Sequence, residues 1–184
     1  MRIRLEDAYR KVISFLNKEK LEYIVIGGFA AGALGEPRMT GDIDIDILLE
    51  RNQVDNFLDK AKKVGFKVNK RECEKKIEGS GVFQISYGDF HIDFIIASID
   101  LEKEAFKRRK AVILYGLKAF FPTPEDFILL KIIPARRQDL LDIERVVVRH
   151  GGKLDVKYLR TWAQKLSDRA EDMRIYNELQ RILE

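Results

Sequence analysis

Three aspartates alternate with isoleucines in the segment Asp42–Ile47, and their spacing suggests metal chemistry. On a β-strand, residues two apart lie on one face, about 7 Å apart along the chain, so Asp42 and Asp44 point the same way. Two such carboxylates repel each other by about 2 kcal/mol at an effective dielectric constant near 20, and aspartate is a poor strand residue. A divalent cation reverses the sign of that interaction, because Mg²⁺ prefers carboxylate and phosphate oxygens. The pattern therefore favours a metal site over an acidic strand that only discourages edge pairing.

A second acidic position lies in the segment His91–Ile95, where Asp93 stands between bulky apolar residues. If this strand pairs beside the first one, Asp93 faces the same cleft as Asp42 and Asp44. A carboxylate there helps to hold metal and, as general base, accepts the proton of an attacking hydroxyl group. A surface position on an edge strand explains Asp93 alone equally well, so the assignment depends on the strand pairing.

Two glycines, Gly27 and Gly28, follow the compact strand Glu22–Ile26 and precede a short helix. Backbone amides at the start of a helix bind phosphate, and glycine lets a phosphate oxygen approach closely. The sequence has neither the G-K-[ST] of a P-loop nor the G-x-G-x-x-G of a dinucleotide-binding fold. A Gly-Gly turn is weak evidence by itself. An acidic strand that begins 15 residues after Gly27 makes the combination a strong indication of a phosphate-binding cleft.

Hydrophobic periodicity predicts the elements that must position these motifs. The predicted helices cover residues 5–16, 29–34, 54–64, 101–109, 123–133, 140–149, 156–166 and 170–183. The predicted strands cover residues 22–26, 43–47, 66–68, 82–87, 90–96 and 112–114, with a hairpin turn at Gly88-Asp89. The pattern predicts an α/β core over residues 1–122 and an all-helical region over residues 123–184 that packs on it.

Composition and charge restrict the class of protein. The single cysteine, Cys73, excludes an intramolecular disulfide and fits a reducing compartment. No apolar run approaches the ~20 residues of a membrane helix, and the N-terminal segment resembles no signal peptide. We therefore expect a cytoplasmic protein with no membrane partner. Residues 101–184 carry 18 basic and 13 acidic side chains, which suits a polyanionic partner or, equally, a solvated charged surface. The basic run Phe106–Lys110 is expected to be a solvated helix end rather than an RNA-binding patch.

Together the motifs resemble those of the DNA polymerase beta-like nucleotidyltransferase superfamily. The chain is most similar to minimal prokaryotic members, including those related to abortive-infection toxin nucleotidyltransferases. The likeness covers about residues 22–145 and is carried by Gly27-Gly28…Gly35…Arg38-x-Thr40-x-Asp42-Ile43-Asp44-Ile45 and by Pro124-Glu125-Asp126…Lys131…Arg136-x-x-Asp139-x-x-Asp142.

The resemblance implies an α/β (α+β) nucleotidyltransferase fold with a mixed β-sheet flanked by helices and a C-terminal helical tail. It implies Mg²⁺-dependent transfer of a nucleoside monophosphate from NTP to a hydroxyl acceptor with release of pyrophosphate, with two Mg²⁺ ions or, alternatively, Mn²⁺. Carried over residue by residue, the catalytic and metal-binding carboxylates are Asp42, Asp44 and Asp93. The implied nucleotide-binding residues are Gly27, Gly28, Arg38, Thr40, Lys131, Arg136 and Asp139.

The chain departs from the family pattern in two ways, and the sequence leaves several alternatives open. Many superfamily members carry Gly-Ser where this chain has Gly27-Gly28, and Asp46 is an extra acid that makes Asp44/Asp46 an alternative ligand pair. The acceptor is open among tRNA or other nucleic acid, a protein and a small molecule. The alternatives to the enzyme are a non-catalytic nucleotide- or RNA-binding module, such as a toxin–antitoxin component with a partner protein, and a metal-dependent nuclease.

Overall fold

Strands and helices alternate in the first part of the chain, and helices alone make up the rest. A computed structural model describes residues 3–184; Met1 and Arg2, which belong to the segment considered as a signal peptide, lie outside it. The helices are α1 (Leu5–Lys18), α2 (Gly27–Leu34), α3 (Val54–Lys63), α4 (Lys70–Ser80), α5 (Asp100–Arg108), α6 (Pro124–Ile132), α7 (Arg137–His150), α8 (Val156–Ala170) and α9 (Arg174–Leu183). The strands are β1 (Tyr23–Val25), β2 (Ile43–Ile47), β3 (Val82–Tyr87), β4 (Phe90–Ile96), β5 (Lys110–Leu114) and β6 (Leu117–Phe121).

The first four strands form one mixed sheet in the order β1-β2-β4-β3, and β5 and β6 form a separate hairpin. Strand β2 runs parallel to β4, whereas β1 and β3 pair antiparallel with β2 and β4. This mixed sheet with flanking helices confirms the predicted fold class. Because β4 lies inside the sheet, the edge-strand alternative for Asp93 is wrong.

The register of β2 follows from which of its alternating side chains can be buried. Ile43, Ile45 and Ile47 are fully buried in the main hydrophobic core. Aromatic rings continue this face on the next strands, where Phe83 stacks on Phe94 with ring centroids 5.0 Å apart. The aspartates between the isoleucines therefore face the other side of the sheet. A shift of one residue would bury the acids in the apolar core, so the register is strongly specified.

Helix α4 was missed by the sequence prediction, although its boundary signals are present. The Asn69 side chain accepts a hydrogen bond from the Glu72 backbone N–H, and Gly81 ends the helix in a left-handed conformation with φ of 70°. The predicted strand over residues 66–68 is wrong, because only Lys67 forms a bridge, to Ser86. Strand β6 was also missed; a turn with positive φ at Tyr115 and Gly116 joins it to β5.

Charged and polar contacts attach the C-terminal helices to the α/β part at several places, including the C-terminal end of α2 and the carboxylate of Asp126. At one of them, Arg149 Nη1 donates to Gly35 O at 2.5 Å, and a ring nitrogen of His150 lies 2.8 Å from Leu34 O. Helix α7 therefore holds the C-terminal end of α2. The division of the chain near residue 122 stays a prediction. Within residues 3–184, no helix combines the length and the apolar character needed to cross a bilayer.

At the second place, a buried network surrounds the carboxylate of Asp126. Arg108 Nε donates to Asp126 Oδ2 at 3.0 Å, Thr123 Oγ1 donates to the same oxygen at 2.7 Å, and Tyr158 Oη donates to Oδ1 at 2.5 Å. The guanidinium also lies over the Tyr158 ring, 4.0 Å from its centroid. The expectation that residues 106–110 form only a solvated helix end is therefore wrong for Arg108, because this residue joins α5 to α6 and α8.

Candidate active site

A cleft with a volume of about 450 Å³ opens beside the acidic face of β2, between α2 on one side and α6 and α7 on the other. It brings together Asp42, Asp44 and all seven residues predicted to bind nucleotide. The described residues that line it are Ile26, Gly27, Gly28, Arg38, Thr40, Asp42, Asp44, Ile95, Phe127, Leu130, Lys131, Pro134, Arg136, Gln138 and Asp139. Asp93 and Asp46 are not among them.

Gly27 lies directly against the carboxylate of Asp44. Its φ is +60°, a left-handed conformation that favours glycine, and a Cβ added to it would overlap the Asp44 carboxylate. The amide groups at the start of α2, which lack acceptors within the helix, are thereby brought to the acidic strand. Glycine is required at this position for both reasons.

Asp44 and Asp93 are direct neighbours on the parallel strands β2 and β4. They share a face of the sheet, as the pairing hypothesis requires. Burial raises the pKa of Asp44, and the charges of Asp93 and then Asp42 raise it further against the opposing effect of Lys131. Asp93 Oδ1 accepts a hydrogen bond from Gln84 Nε2 at 2.6 Å. The three acids thus form a row that begins at the exposed Asp42 and ends beside Gln84 on β3.

The row of three acids does not by itself form a complete set of metal ligands. Within residues 3–184, no group of three or more His, Cys, Asp or Glu side chains stands close enough to hold a metal ion by itself. Mg²⁺ is commonly held by one or two carboxylates, with the remaining ligands supplied by water and substrate phosphates. The carboxylate oxygens and the raised pKa of Asp44 fit a divalent cation that binds together with a phosphate-bearing substrate.

Asp46 occupies a different environment from Asp42 and Asp44. Its side chain is buried, with 2% of the residue exposed, on the part of the sheet covered by α5. Burial first, and then the charges of Glu102 and Asp44, raise its pKa well above the ordinary value. The alternative ligand pair Asp44/Asp46 would require a buried carboxylate whose charged form is disfavoured by burial and by the neighbouring acids.

Three cations line the cleft and are held in place by two buried carboxylates. Lys131 Nζ lies 2.6 Å from Asp139 Oδ1 and 3.3 Å from Asp142 Oδ2. Arg38 makes a two-point contact with Asp142, from Nε at 2.9 Å and Nη2 at 3.0 Å, and Arg136 Nε lies 2.6 Å from Asp139 Oδ2. Three positive charges against two negative ones leave an excess of one positive charge beside the acidic row.

The two carboxylates stay ionised although each is only 1% exposed. Burial alone would raise the pKa of Asp139, but hydrogen bonds from Arg136 and Lys131 outweigh it and lower the pKa. The pKa of Asp142 is lowered in the same way against burial, by hydrogen bonds from Arg38 and Gln138. Asp139 and Asp142 therefore form a salt-bridged scaffold at the edge of the cleft.

Sequence reasoning missed Gln84 altogether. An isolated glutamine on a strand gives no chemical signal, and only the register of β3 against β4 places it opposite Asp93. The register followed from the predicted hairpin at Gly88-Asp89, so the pairing of these two residues was within reach of the sequence. The hydrogen bond between their side chains was not.

Comparison with known proteins identifies the family of this chain. Residues 4–183 match the family described as nucleotidyltransferase of unknown function (DUF6036). The chain belongs to this family. It is therefore a nucleotidyltransferase, as the resemblance predicted. No functionally curated protein has a sequence significantly similar to that of this nucleotidyltransferase.

Several solved structures share the nucleotidyltransferase fold at low sequence identity. The antibiotic-resistance factor ANT(2'')-Ia aligns with a TM-score of 0.61 and 15% identity, over 89% of this chain and 92% of its own. The lincosamide antibiotic adenylyltransferase LnuA aligns with a TM-score of 0.52 and 16% identity, over 79% and 96%. An antigenic nucleotidyltransferase-like protein from Paracoccidioides brasiliensis aligns with a TM-score of 0.53 and 16% identity, over 94% and 88%. At these identities the likeness extends to the fold alone.

Proposed function

We propose that this nucleotidyltransferase uses Mg²⁺ to transfer a nucleoside monophosphate from an NTP to a hydroxyl acceptor and releases pyrophosphate. One observation carries the proposal: a single cleft holds Asp42 and Asp44 on one wall and the start of α2 with Lys131 and two arginines around it. Carboxylates suit a divalent cation, whereas amides and cationic side chains suit phosphates. A triphosphate with its metal ion is the substrate that uses both.

The triphosphate is bound by groups on four segments: the start of α2, the loop before β2, α6 and the residue that precedes α7. The backbone amides of Gly27 and Gly28 and the side chain of Thr40 approach it from the N-terminal half, and the cations Arg38, Lys131 and Arg136 neutralise its charge. Asp139 lines the cleft, but its oxygens accept from Lys131 and Arg136. We therefore assign Asp139 the role of holding these two cations rather than of contacting the nucleotide.

Asp42 and Asp44, with Asp93 as third carboxylate, would hold Mg²⁺ or Mn²⁺. The chemistry supplied by the bound ions is a lower pKa for the attacking hydroxyl and neutralisation of charge on the leaving pyrophosphate. The side chains of the protein do the rest. In-line displacement puts the acceptor opposite the leaving group. Because the pyrophosphate lies toward Gly28, the acceptor hydroxyl approaches from the side of β4, where Asp93 stands.

Asp93 accepts the proton of that hydroxyl as general base. Gln84 donates to Asp93 Oδ1, which fixes the orientation of the carboxylate. This contact gives Gln84 a positioning role on the acceptor side of the site.

The acceptor is proposed to be a hydroxyl-bearing small molecule, with a nucleic acid such as tRNA as the alternative. Support comes from two structures with the same fold, ANT(2'')-Ia in complex with adenylyl-2''-tobramycin (TM-score 0.59) and lincomycin-bound LnuA (TM-score 0.52). The excess of basic side chains in residues 101–184 is what favours a nucleic acid. A cytoplasmic setting stays a prediction from the single Cys73, and a partner protein remains part of the toxin–antitoxin alternative.

Incubation with each α-labelled NTP and Mg²⁺ or Mn²⁺ tests the proposal. Pyrophosphate release is followed in the presence of total RNA, an aminoglycoside and a lincosamide, and labelled products are identified by mass spectrometry. We expect release with at least one NTP and its loss in Asp44→Asn. Binding of NTP without any release would favour the non-catalytic module, and equal turnover by Asp44→Asn would contradict the assigned carboxylate.

A further inference from the structure

Gly28 and Thr40 compete for one volume at the start of α2. A Cβ added to Gly28 would lie 2.6 Å from both Cβ and Oγ1 of Thr40, a separation that real side chains do not adopt. The φ of Gly28 lies outside the left-handed region, in contrast to that of Gly27. The backbone at position 28 therefore accepts an L-amino acid, and the three atoms nearest to the added Cβ all belong to Thr40.

The same threonine brings the cleft its hydroxyl group. Among the cleft-lining residues within 3–184, Thr40 is the one whose side chain carries a hydroxyl. Its Oγ1 donates to Asp42 O at 3.1 Å, a bond to a partly exposed backbone carbonyl in the loop that precedes β2. A hydroxyl group has one donor hydrogen and rotates freely, so Thr40 can instead donate its hydrogen bond to a phosphate oxygen that binds beside Gly28.

We propose that the Thr40 hydroxyl donates a hydrogen bond to the nucleotide triphosphate from the volume that a side chain at position 28 would otherwise fill. Positions 28 and 40 form a reciprocal pair: one hydroxyl fits, and either position can supply it. The inference rests on the proposed function, because it requires a triphosphate at the start of α2. It goes further in naming the donor atom and the reason for glycine at position 28.

The reciprocal pair predicts a steric effect in double variants at positions 28 and 40, which a phosphate contact by Thr40 alone would not predict. Ser at position 28 overlaps not only Oγ1 but also Cβ of Thr40, so Thr40→Ala does not relieve the overlap. Glycine at position 40 removes all three of the atoms nearest to the added Cβ. The double variant Gly28→Ser/Thr40→Gly is therefore expected to recover binding that Gly28→Ser/Thr40→Ala does not.

Calorimetry on the full chain tests the pair formed by positions 28 and 40. The ligands are magnesium tripolyphosphate and Mg²⁺ with non-cleavable α,β-methylene-ATP, so neither the acceptor nor the preferred nucleotide base needs to be known. Thr40→Val, which keeps the shape and removes the hydroxyl, should weaken both ligands roughly 10- to 100-fold, the loss of a hydrogen bond to a charged group. Thr40→Ser should lose less. Thr161→Val is the matched control, because Thr161 Oγ1 also donates to a backbone carbonyl, that of Lys157 at 2.8 Å, on the exposed face of α8.

Unaltered affinity in Thr40→Val would overturn the hydroxyl contact, and a double variant that binds no better than Thr40→Gly alone would overturn the exchange between positions. Thermal unfolding of every variant separates lost binding from lost folding. A wild-type protein that binds tripolyphosphate but turns over no NTP would refute the proposed activity and leave the pair supported. A wild-type protein that binds neither ligand would refute both.

Discussion

The carboxylate of Asp142 offers the sharpest test of how the cleft is assembled, because the chain contains a matched control. Asp142 is 1% exposed and is bound by Arg38, Lys131 and Gln138, all of which line the cleft. Asp126 is fully buried and is bound by another arginine in a network that does not line the cleft. Substitution of each by asparagine keeps the shape and removes the charge.

The expected loss of stability is similar for the two variants. Asparagine retains one acceptor oxygen and places an NH₂ group against donors, so Asp142→Asn weakens the two-point contact with Arg38 and the ion pair with Lys131. Breaking a buried ion pair costs about 3–5 kcal/mol, and we expect about 2–4 kcal/mol here because the Arg38 side chain is 23% exposed. For a chain of this length each kcal/mol lowers Tm by about 2–4 °C. Asp126→Asn should fall in the same range.

Nucleotide affinity should separate the two variants. Thermal unfolding followed by circular dichroism gives the stability, and calorimetric titration with Mg²⁺ and α,β-methylene-ATP below the unfolding transition gives the affinity. Asp142→Asn releases two cleft cations from their fixed positions, so we expect affinity to fall about tenfold or more, whereas Asp126→Asn should bind as the wild type does. An equal loss of affinity in both variants would refute the reasoning, since it would mean that general loosening of the helical region, not placement of the cations, controls binding.

Three further changes test other parts of the site. Asp46→Asn should retain transfer and be more stable than the wild type at pH 7. Burial disfavours the charged carboxylate in the native state and raises its pKa, so the acid costs stability above its unfolded pKa of about 3.9 and the gain should vanish below that pH. Loss of transfer would restore Asp46 as a ligand. Gln84→Leu should lower kcat about tenfold or more with little change in KM for NTP, and a pure KM effect in steady-state assays would argue against the link to Asp93. Gly27→Ala should abolish NTP binding in calorimetry, because the added methyl group displaces the Asp44 carboxylate, and retained affinity would show that the amides of α2 are not used.

Local patterns in the sequence were sufficient for the α/β class and for the glycines and aspartates of the cleft, whereas its cationic side chains, Thr40 and Asp139 were implied by the resemblance to a known family. The alternation of Asp42 and Asp44 with buried isoleucines predicts a strand with one apolar and one acidic face. The paired glycines mark the start of α2. The helix start at Thr123 was also readable, since its side chain accepts from the Asp126 backbone N–H as a cap should. Helix α4 shows the limit: its apolar face contains only Cys73 and Ile77, too short a stripe to stand out among charged residues.

The sequence by itself determined which residue types could bind a metal ion and phosphate, because period-two and helical patterns are local properties of the chain. Only the tertiary structure decided how those residues are held. The contact between Arg38 and Asp142 spans 104 positions, and the overlap between Gly28 and Thr40 depends on the path of a loop. Equally, Asp44 and Asp46 have the same place in the alternating sequence pattern and lie on the same face of the sheet. Asp44 nevertheless lines the cleft, whereas Asp46 is buried beneath α5. Such distinctions arise from packing between distant segments, which no local pattern encodes.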